Sequence, residues 1–158
     1  MMSMGRRIMM MAGLGLLMAG FLVPARAAET YGTAEEAQHM VDRAAAFMKA
    51  NGKDKLMAEL NNAHGQFIDR DLYVLAYGLD GLRLAHPYNQ KIVGLSVLDA
   101  VDFDGKAYGS EIVATAKTKG SGWVDYKYTD PTTKKLSDKS LYVLKVDDVI
   151  LGCGIYKH

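Results

Sequence analysis

The apolar positions after residue 28 follow two different periods. Across residues 33–50, Ala37, Met40, Val41, Ala44, Phe47 and Met48 recur at three- and four-residue spacing, which predicts one amphipathic helix. Thr33 and Glu36 predict a capping box at its start, in which hydroxyl and carboxylate cover amides that have no partner inside the helix. Asn51-Gly52 predicts the stop, because glycine takes the left-handed conformation at low cost. Residues 53–63 read as a second, shorter helix with Leu56 and Leu60 inward.

After Gly65 the period falls to two. Residues 72–79 predict a strand with Tyr73, Leu75 and Tyr77 on one face and Leu72, Val74 and Ala76 on the other. Asp80-Gly81 predicts a two-residue hairpin turn of the primed type. Residues 82–85 then form the returning strand, which His86-Pro87 ends, since proline donates no amide and disfavours helix at the residue before it. Residues 88–120 cross over, with a bend at Gly94, a turn at 102–105 and a helix over Tyr108–Lys119. Ile112, Val113 and Ala116 face inward from that helix. Three more strands follow, at 123–128, 140–146 and Val149–Tyr156, joined by polar turns at Asp130-Pro131 and Asp147-Asp148. The predicted fold class is α+β: a long N-terminal helix packed on a five-stranded antiparallel sheet, with a helical crossover between the second and third strands covering the other face.

Residues 1–27 have a different character. Arg6 and Arg7 precede an uncharged run of sixteen residues, 8–23, that Pro24 breaks, and Ala25-Arg26-Ala27 has the small-x-small form of a signal-peptidase site. A membrane span needs ~20 apolar residues, and this run is shorter and holds Gly13, Gly15 and Gly20. The reading is a signal peptide over 1–27 and one domain over 28–158, with no membrane span after cleavage and a periplasmic location. Three of the 19 basic residues lie in the leader and none of the 18 acidic ones do, so the mature charge is −2. That balance gives no electrostatic footprint for nucleic acid or anionic lipid. The single cysteine excludes a disulfide scaffold.

Several pieces in order carry a resemblance. They are Tyr73-Val74-Leu75 with Asp80-Gly81; Ala85-His86-Pro87; Gly94; Asp102-x-Asp104-Gly105-Lys106; Gly120-x-Gly122-Trp123-Val124-Asp125-Tyr126; Asp130-Pro131-x-x-Lys134; Lys139-Ser140-x-Tyr142-Val143; and Gly152-x-Gly154-Ile155-Tyr156. Together they resemble the single Cache domain, an extracytoplasmic, PAS-like ligand-sensing fold, over residues 34–156. The resemblance implies a pocket on one sheet face for a small organic ligand, often a short carboxylate, in a chemoreceptor or sensor-kinase setting. The chain departs from that pattern in two ways. It shows no membrane span or signalling domain, which implies action with a membrane receptor, sensor kinase or transporter. Asp147-Asp148-Val149 also stands where an aromatic residue often precedes the last strand.

The candidate ligand-binding residues are His86, Tyr126, Tyr128, Lys139 and Tyr142. Neutral imidazole at His86 offers one donor and one acceptor, either to a bound carboxylate or to a turn carbonyl that fixes the corner. Tyr126, Tyr128 and Tyr142 carry a polar tip on an apolar body, suited to a pocket or to core packing. Trp123 is assigned to the core. Lys139, opening the fourth strand, supplies a point charge to a carboxylate or is a solvated strand-end lysine. Arg83 faces a ligand or blunts a sheet edge. Asp102-x-Asp104-Gly105-x5-Glu111 is a partial calcium loop lacking its first ligand, since Ala100 stands there, and reads as an aspartate-capped turn. His39, His64, His86, His158 and Cys153 have no metal-ligand spacing, and no cofactor is expected. Cys153 reads as a small buried hydrophobe. No nucleophile, base and orienting group assemble, so the expectation is a binding module and not an enzyme. The alternative is an interaction module with no functional pocket. Periplasmic protein is expected to have an intact mass starting at Ala28; a full-length chain retained in membranes contradicts the leader assignment.

Overall fold

The structure is a computed structural model and describes residues 30–157; the leader and its cleavage point lie outside them. Thr33 caps α1 (Ala34–Asn51): its hydroxyl accepts from the Glu36 N–H at 3.2 Å, and the Glu36 carboxylate accepts from the Thr33 N–H at 2.8 Å. The helix buries Ala37, Met40, Val41, Ala44, Ala45 and Met48; against the predicted stripe Ala45 is added, and Phe47 is only half-buried, packed at the edge of the same cluster. Gly52 ends it with φ +92, beyond the reach of ordinary side chains. α2 (Lys53–Leu60) buries Leu56 and Leu60 and stops three residues earlier than the pattern suggests. The Asn61 side chain is used elsewhere: its carbonyl oxygen accepts from the His86 N–H at 3.1 Å, and its amide donates to the Leu84 carbonyl at 3.4 Å.

The strands are β1 (Ile68–Asp69), β2 (Leu72–Gly78), β3 (Arg83–Ala85), β4 (Ser121–Thr129), β5 (Leu136–Val146) and β6 (Val149–Tyr156); α3 (Tyr108–Lys119) precedes β4. They form one antiparallel sheet in the order β1-β2-β6-β5-β4, with β3 also paired to β2. The sixth strand, β1, is two residues long, too short to show alternation. The last strand in sequence is therefore central in space, between β2 and β5. α1 packs over β2, β6 and β5 on one face, and α3 packs over β4 and β5 on the other. Each face carries its own buried cluster, one around α1 with Leu72, Val74 and Ala76, the other around α3 with Tyr73, Leu75 and Tyr77. The two predicted faces of β2 are the two faces of the sheet.

Three expectations need correction. The turn after β2 is a three-residue loop, 79–81: the Gly78 N–H bonds to the Leu82 carbonyl at 2.8 Å, the Gly81 N–H to the Gly78 carbonyl at 3.0 Å, and of these residues only Gly81 has positive φ, +84. A primed two-residue turn needs positive φ at Asp80 too; instead the Asp80 carboxylate accepts from the Leu82 N–H at 3.0 Å and holds the bulged form. β5 begins at Leu136, because its pairing with β4 runs on to Leu136↔Thr129, so Lys139 lies inside the strand and does not open it. Trp123 is not core: it sits on the edge strand, beside the face that α1 covers, and stays 36 % exposed.

The aspartate turn behaves as a turn. Asp102 accepts from the N–H groups of Asp104 and Lys106 at 2.9 Å each and, through its other oxygen, from the Lys127 N–H at 3.0 Å. Glu111 pairs with Lys106 at 3.0 Å. Cys153 is fully buried in β6, and burial pushes its thiol up to about 12. Thiol reagents act on exposed thiolate, so native protein is expected to label slowly and denatured protein fast. Rapid native labelling contradicts the placement of β6 at the centre of the sheet.

Candidate functional site

Alternation places Tyr73 of β2, Gly154 and Tyr156 of β6, Lys139 of β5, and Tyr126 and Tyr128 of β4 on the α3 side of the sheet, at one end. The register sets Lys139 opposite both Tyr126 and Tyr156. α3 ends its cover here: its first residue, Tyr108, stacks on Tyr126 with centroids 4.2 Å apart and planes at 4°. Beyond that stack the end of the sheet is walled by the segment after β3 and the turn between β4 and β5. They enclose a cleft of about 320 Å³ whose walls include Tyr73, His86, Tyr88, Tyr128, Pro131 and Lys134.

Lys139 is 1 % exposed. Its Nζ donates to the Tyr73 hydroxyl at 2.8 Å and lies 4.5, 5.0, 5.2 and 5.9 Å from the ring centroids of Tyr73, Tyr156, Tyr128 and Tyr126. Ring faces attract a cation but neutralise none of its charge. Among the described residues Lys139 has no ion pair. Burial therefore pushes the ammonium down to about 7, against the weaker pull of Cys153, Asp130 and Asp71. Asp71 is 1 % exposed, spends Oδ1 on the Gly32 N–H at 2.6 Å, and leaves Oδ2 without a partner. The tyrosine hydroxyls form a chain: Tyr73 lies 3.2 Å from Tyr156, which donates to the Thr129 carbonyl at 3.3 Å. Burial first, and neighbouring tyrosines second, hold the Tyr73 phenol well above its ordinary range, so it stays neutral.

His86 is 6 % exposed, its ring 5.3 Å from that of Tyr73. Its Nδ1 accepts from the Tyr88 and Asn89 N–H groups at 3.3 and 3.1 Å. Those bonds assign the ring proton to Nε2, which is buried and has no partner. Burial, then the Lys139 charge, hold the imidazole down to about 3, so it stays neutral. The histidine thus holds its corner and keeps one ring donor, Nε2–H, without a partner among the described residues. It fixes the corner by accepting from amides and not by donating to a carbonyl. His86 and Lys139 border the same small internal cavity of about 10 Å³, about the space of one water.

Of the sequence-predicted site residues, His86, Tyr126, Tyr128 and Lys139 come together. Tyr142 does not: three residues from Lys139 in a strand, it points to the opposite face and packs on Trp123 with centroids 5.4 Å apart. Arg83 is absent from the walls of the larger cleft but borders the small internal cavity with His86 and Lys139. Its guanidinium bonds the Ser96 carbonyl at 2.5 Å and ties down the crossover. Sequence reasoning missed Tyr73, Tyr156 and Tyr88 as site residues. Tyr73 and Tyr156 stood in the motifs quoted, but only the strand order brings them to Lys139.

The Single Cache domain 2 family model matches residues 23–158. The sensor histidine kinase MctS of Rhizobium johnstonii is 35% identical over 89 residues, 55% of this chain and 19% of the kinase. The chain thus spans less than a fifth of that relative's length. A Cache chemosensory domain solved for its recognition of carboxylic acids superposes with a TM-score of 0.67 at 26% identity, over 78% of this chain and 92% of its own. A methyl-accepting chemotaxis protein from Vibrio parahaemolyticus superposes at 0.65, with 22% identity over 77% of this chain and 86% of its own. A periplasmic sensor domain of a chemotaxis protein superposes at 0.63, with 23% identity over 78% of this chain and 90% of its own. These last two share the fold.

An ammonium held at about 7 in the folded chain and 10.5 when exposed binds fewer protons folded than unfolded between those values. Stability is therefore expected to rise with pH across that window. Lys139→Met keeps the apolar stem and removes the charge. Without ligand it is expected to be more stable than wild type near pH 7, with the gap closing toward pH 10, as denaturant melts at a series of pH values will read. A variant less stable at neutral pH, with the slope retained, contradicts the buried-charge assignment.

Proposed function

The chain belongs to the single Cache domain 2 family, and from that premise we propose that it is a periplasmic sensing module that binds a short carboxylate and does not transform it. One observation carries this reading. The Lys139 ammonium and the His86 Nε2–H are buried donors with no acidic partner among the described residues, and both residues border one small cavity. Unsatisfied buried donors are costly. A carboxylate is an acceptor-only group with room for both, and it would give the ammonium the counter-charge that the tyrosine rings do not. Tyr73, Tyr126 and Tyr128 would then enclose the ligand's apolar part, the larger cleft serving as its way in. The similarity to a Cache domain that recognises carboxylic acids supports the ligand class. The leader pattern supports the location.

The likeness to a sensor histidine kinase supports a membrane sensor as the partner class. Exposed apolar side chains on the crossover, with Leu95 at 56 %, Val101 at 58 % and Phe103 at 80 % exposure, favour contact with another protein. That surface is also what a pure docking module would use.

Acetate, propionate, lactate and pyruvate are the ligands to screen by thermal shift. A ligand that binds only the native state at a hundredfold excess over Kd adds ~2.7 kcal/mol, or roughly 8 °C for a domain of this size. Lys139→Met is expected to abolish the shift, and Tyr142→Phe to leave it intact. A bound carboxylate stabilises the charged ammonium, so binding above about pH 7 takes up a proton. Affinity is then expected to fall about tenfold per pH unit above that point. No shift across a broad screen contradicts the binding reading in favour of docking; a shift that survives Lys139→Met contradicts the site.

A further inference from the structure

We propose that Gly154 is a positioning residue for the anion site: by carrying no side chain it leaves the groove across β6 in which the Lys139 stem lies, and so decides where the ammonium sits. The inference rests on the carboxylate reading for its functional meaning and on the sheet geometry alone for its mechanism.

Lys139 starts on β5 and bonds the hydroxyl of Tyr73 on β2, and β6 runs between those strands. Adjacent strands lie about 4.8 Å apart, so the stem must pass over β6 to make that bond. Lys139 is in register with Tyr156, and the next β6 residue on the same face is Gly154. The stem crosses there. A Cβ built on Gly154 falls 2.1 Å from the Lys139 Cε and 3.2 Å from both Cδ and Cγ. The Cε methylene thus occupies the space that a Cβ at 154 would fill, and the two methylenes before it crowd that space. No positive φ is recorded at Gly154, so its backbone does not demand glycine; the close approach of the stem does. Gly152, two residues along the same face, meets only contacts of 3.2 Å or more, from Leu75, Leu141 and the Tyr142 carbonyl. The severe overlap is confined to the position under the lysine.

A methyl at 154 would force the stem into another rotamer, which a four-methylene chain can adopt. The ammonium would leave the Tyr73 hydroxyl and the ring faces, while the strands keep their pairing. Other core residues at 154 would shut the groove altogether.

The test is a double-mutant cycle of Gly154→Ala and Lys139→Ala in the full chain, read by thermal melts at pH 7 and at pH 9.5 and by the propionate-induced shift. Gly154→Ala is expected to lower Tm in the wild-type background at pH 9.5, where the lysine is neutral, to flatten the rise of stability between those pH values, and to weaken propionate binding about tenfold or more, the loss of a charge-assisted bond. In the Lys139→Ala background the same methyl enters vacated space and is expected to leave Tm unchanged or raise it. An equal cost in both backgrounds, or a pH rise that Gly154→Ala leaves untouched, overturns the inference. If wild-type protein shows no propionate response, the carboxylate reading fails, and the cycle and the pH rise still decide the role of Gly154.

Discussion

A single buried charge organises one end of this molecule. The Lys139 ammonium lies in a tyrosine cage and, among the described residues, has one hydroxyl as its hydrogen-bond partner and no carboxylate paired to it. A domain stabilised by burial alone would place an apolar residue there, because desolvating a charge without pairing it is unfavourable. The surroundings are arranged around the ammonium nonetheless. Tyrosine rings come from three strands, a glycine clears its path, and a histidine is turned so that its one free donor faces the same interior. The arrangement makes sense if the missing counter-charge arrives from outside. Stability given up in the empty state is then returned on binding.

The sheet is what makes this possible. The last strand in the chain takes the central place, so residues from β2, β4, β5 and β6 meet at one end although they lie far apart in sequence. α1 covers one face along β2, β6 and β5, whereas α3 covers only part of the other and leaves the tyrosine end to loops. Loops suit an entrance. The corner at His86 is tied by two backbone N–H groups that donate to its own ring and by Asn61, which caps the end of α2; this fixes the inner wall while Tyr88 and Lys134 stay exposed at the mouth.

Local signals in the sequence were enough for α1 and its cap, both faces of β2, α3 with its exact bounds, and β6. They were also enough for the family, through the order of short motifs. What was not legible depends on long-range contact. The start of β5 is polar, so its pairing with β4 extends a strand that composition does not announce. Tyr142 entered the candidate site through its spacing from Lys139, although a period of two already sends residues three apart to opposite faces. Tyr73 and Tyr156 were missed for the converse reason, since nothing local says that β2 and β6 are neighbours.

The ionisation of Lys139 can be observed directly. Selective isotope labelling of lysine side chains, with the Lys139 signal assigned through Lys139→Met, gives its titration by nuclear magnetic resonance with and without propionate. The buried, unpaired ammonium is expected to titrate near 7 in the free protein, far below the 10.5 of an exposed lysine, and to move upward when propionate binds. Titration at the ordinary value in the free protein, unmoved by propionate at saturating concentration, would contradict a site built around a charge awaiting its partner.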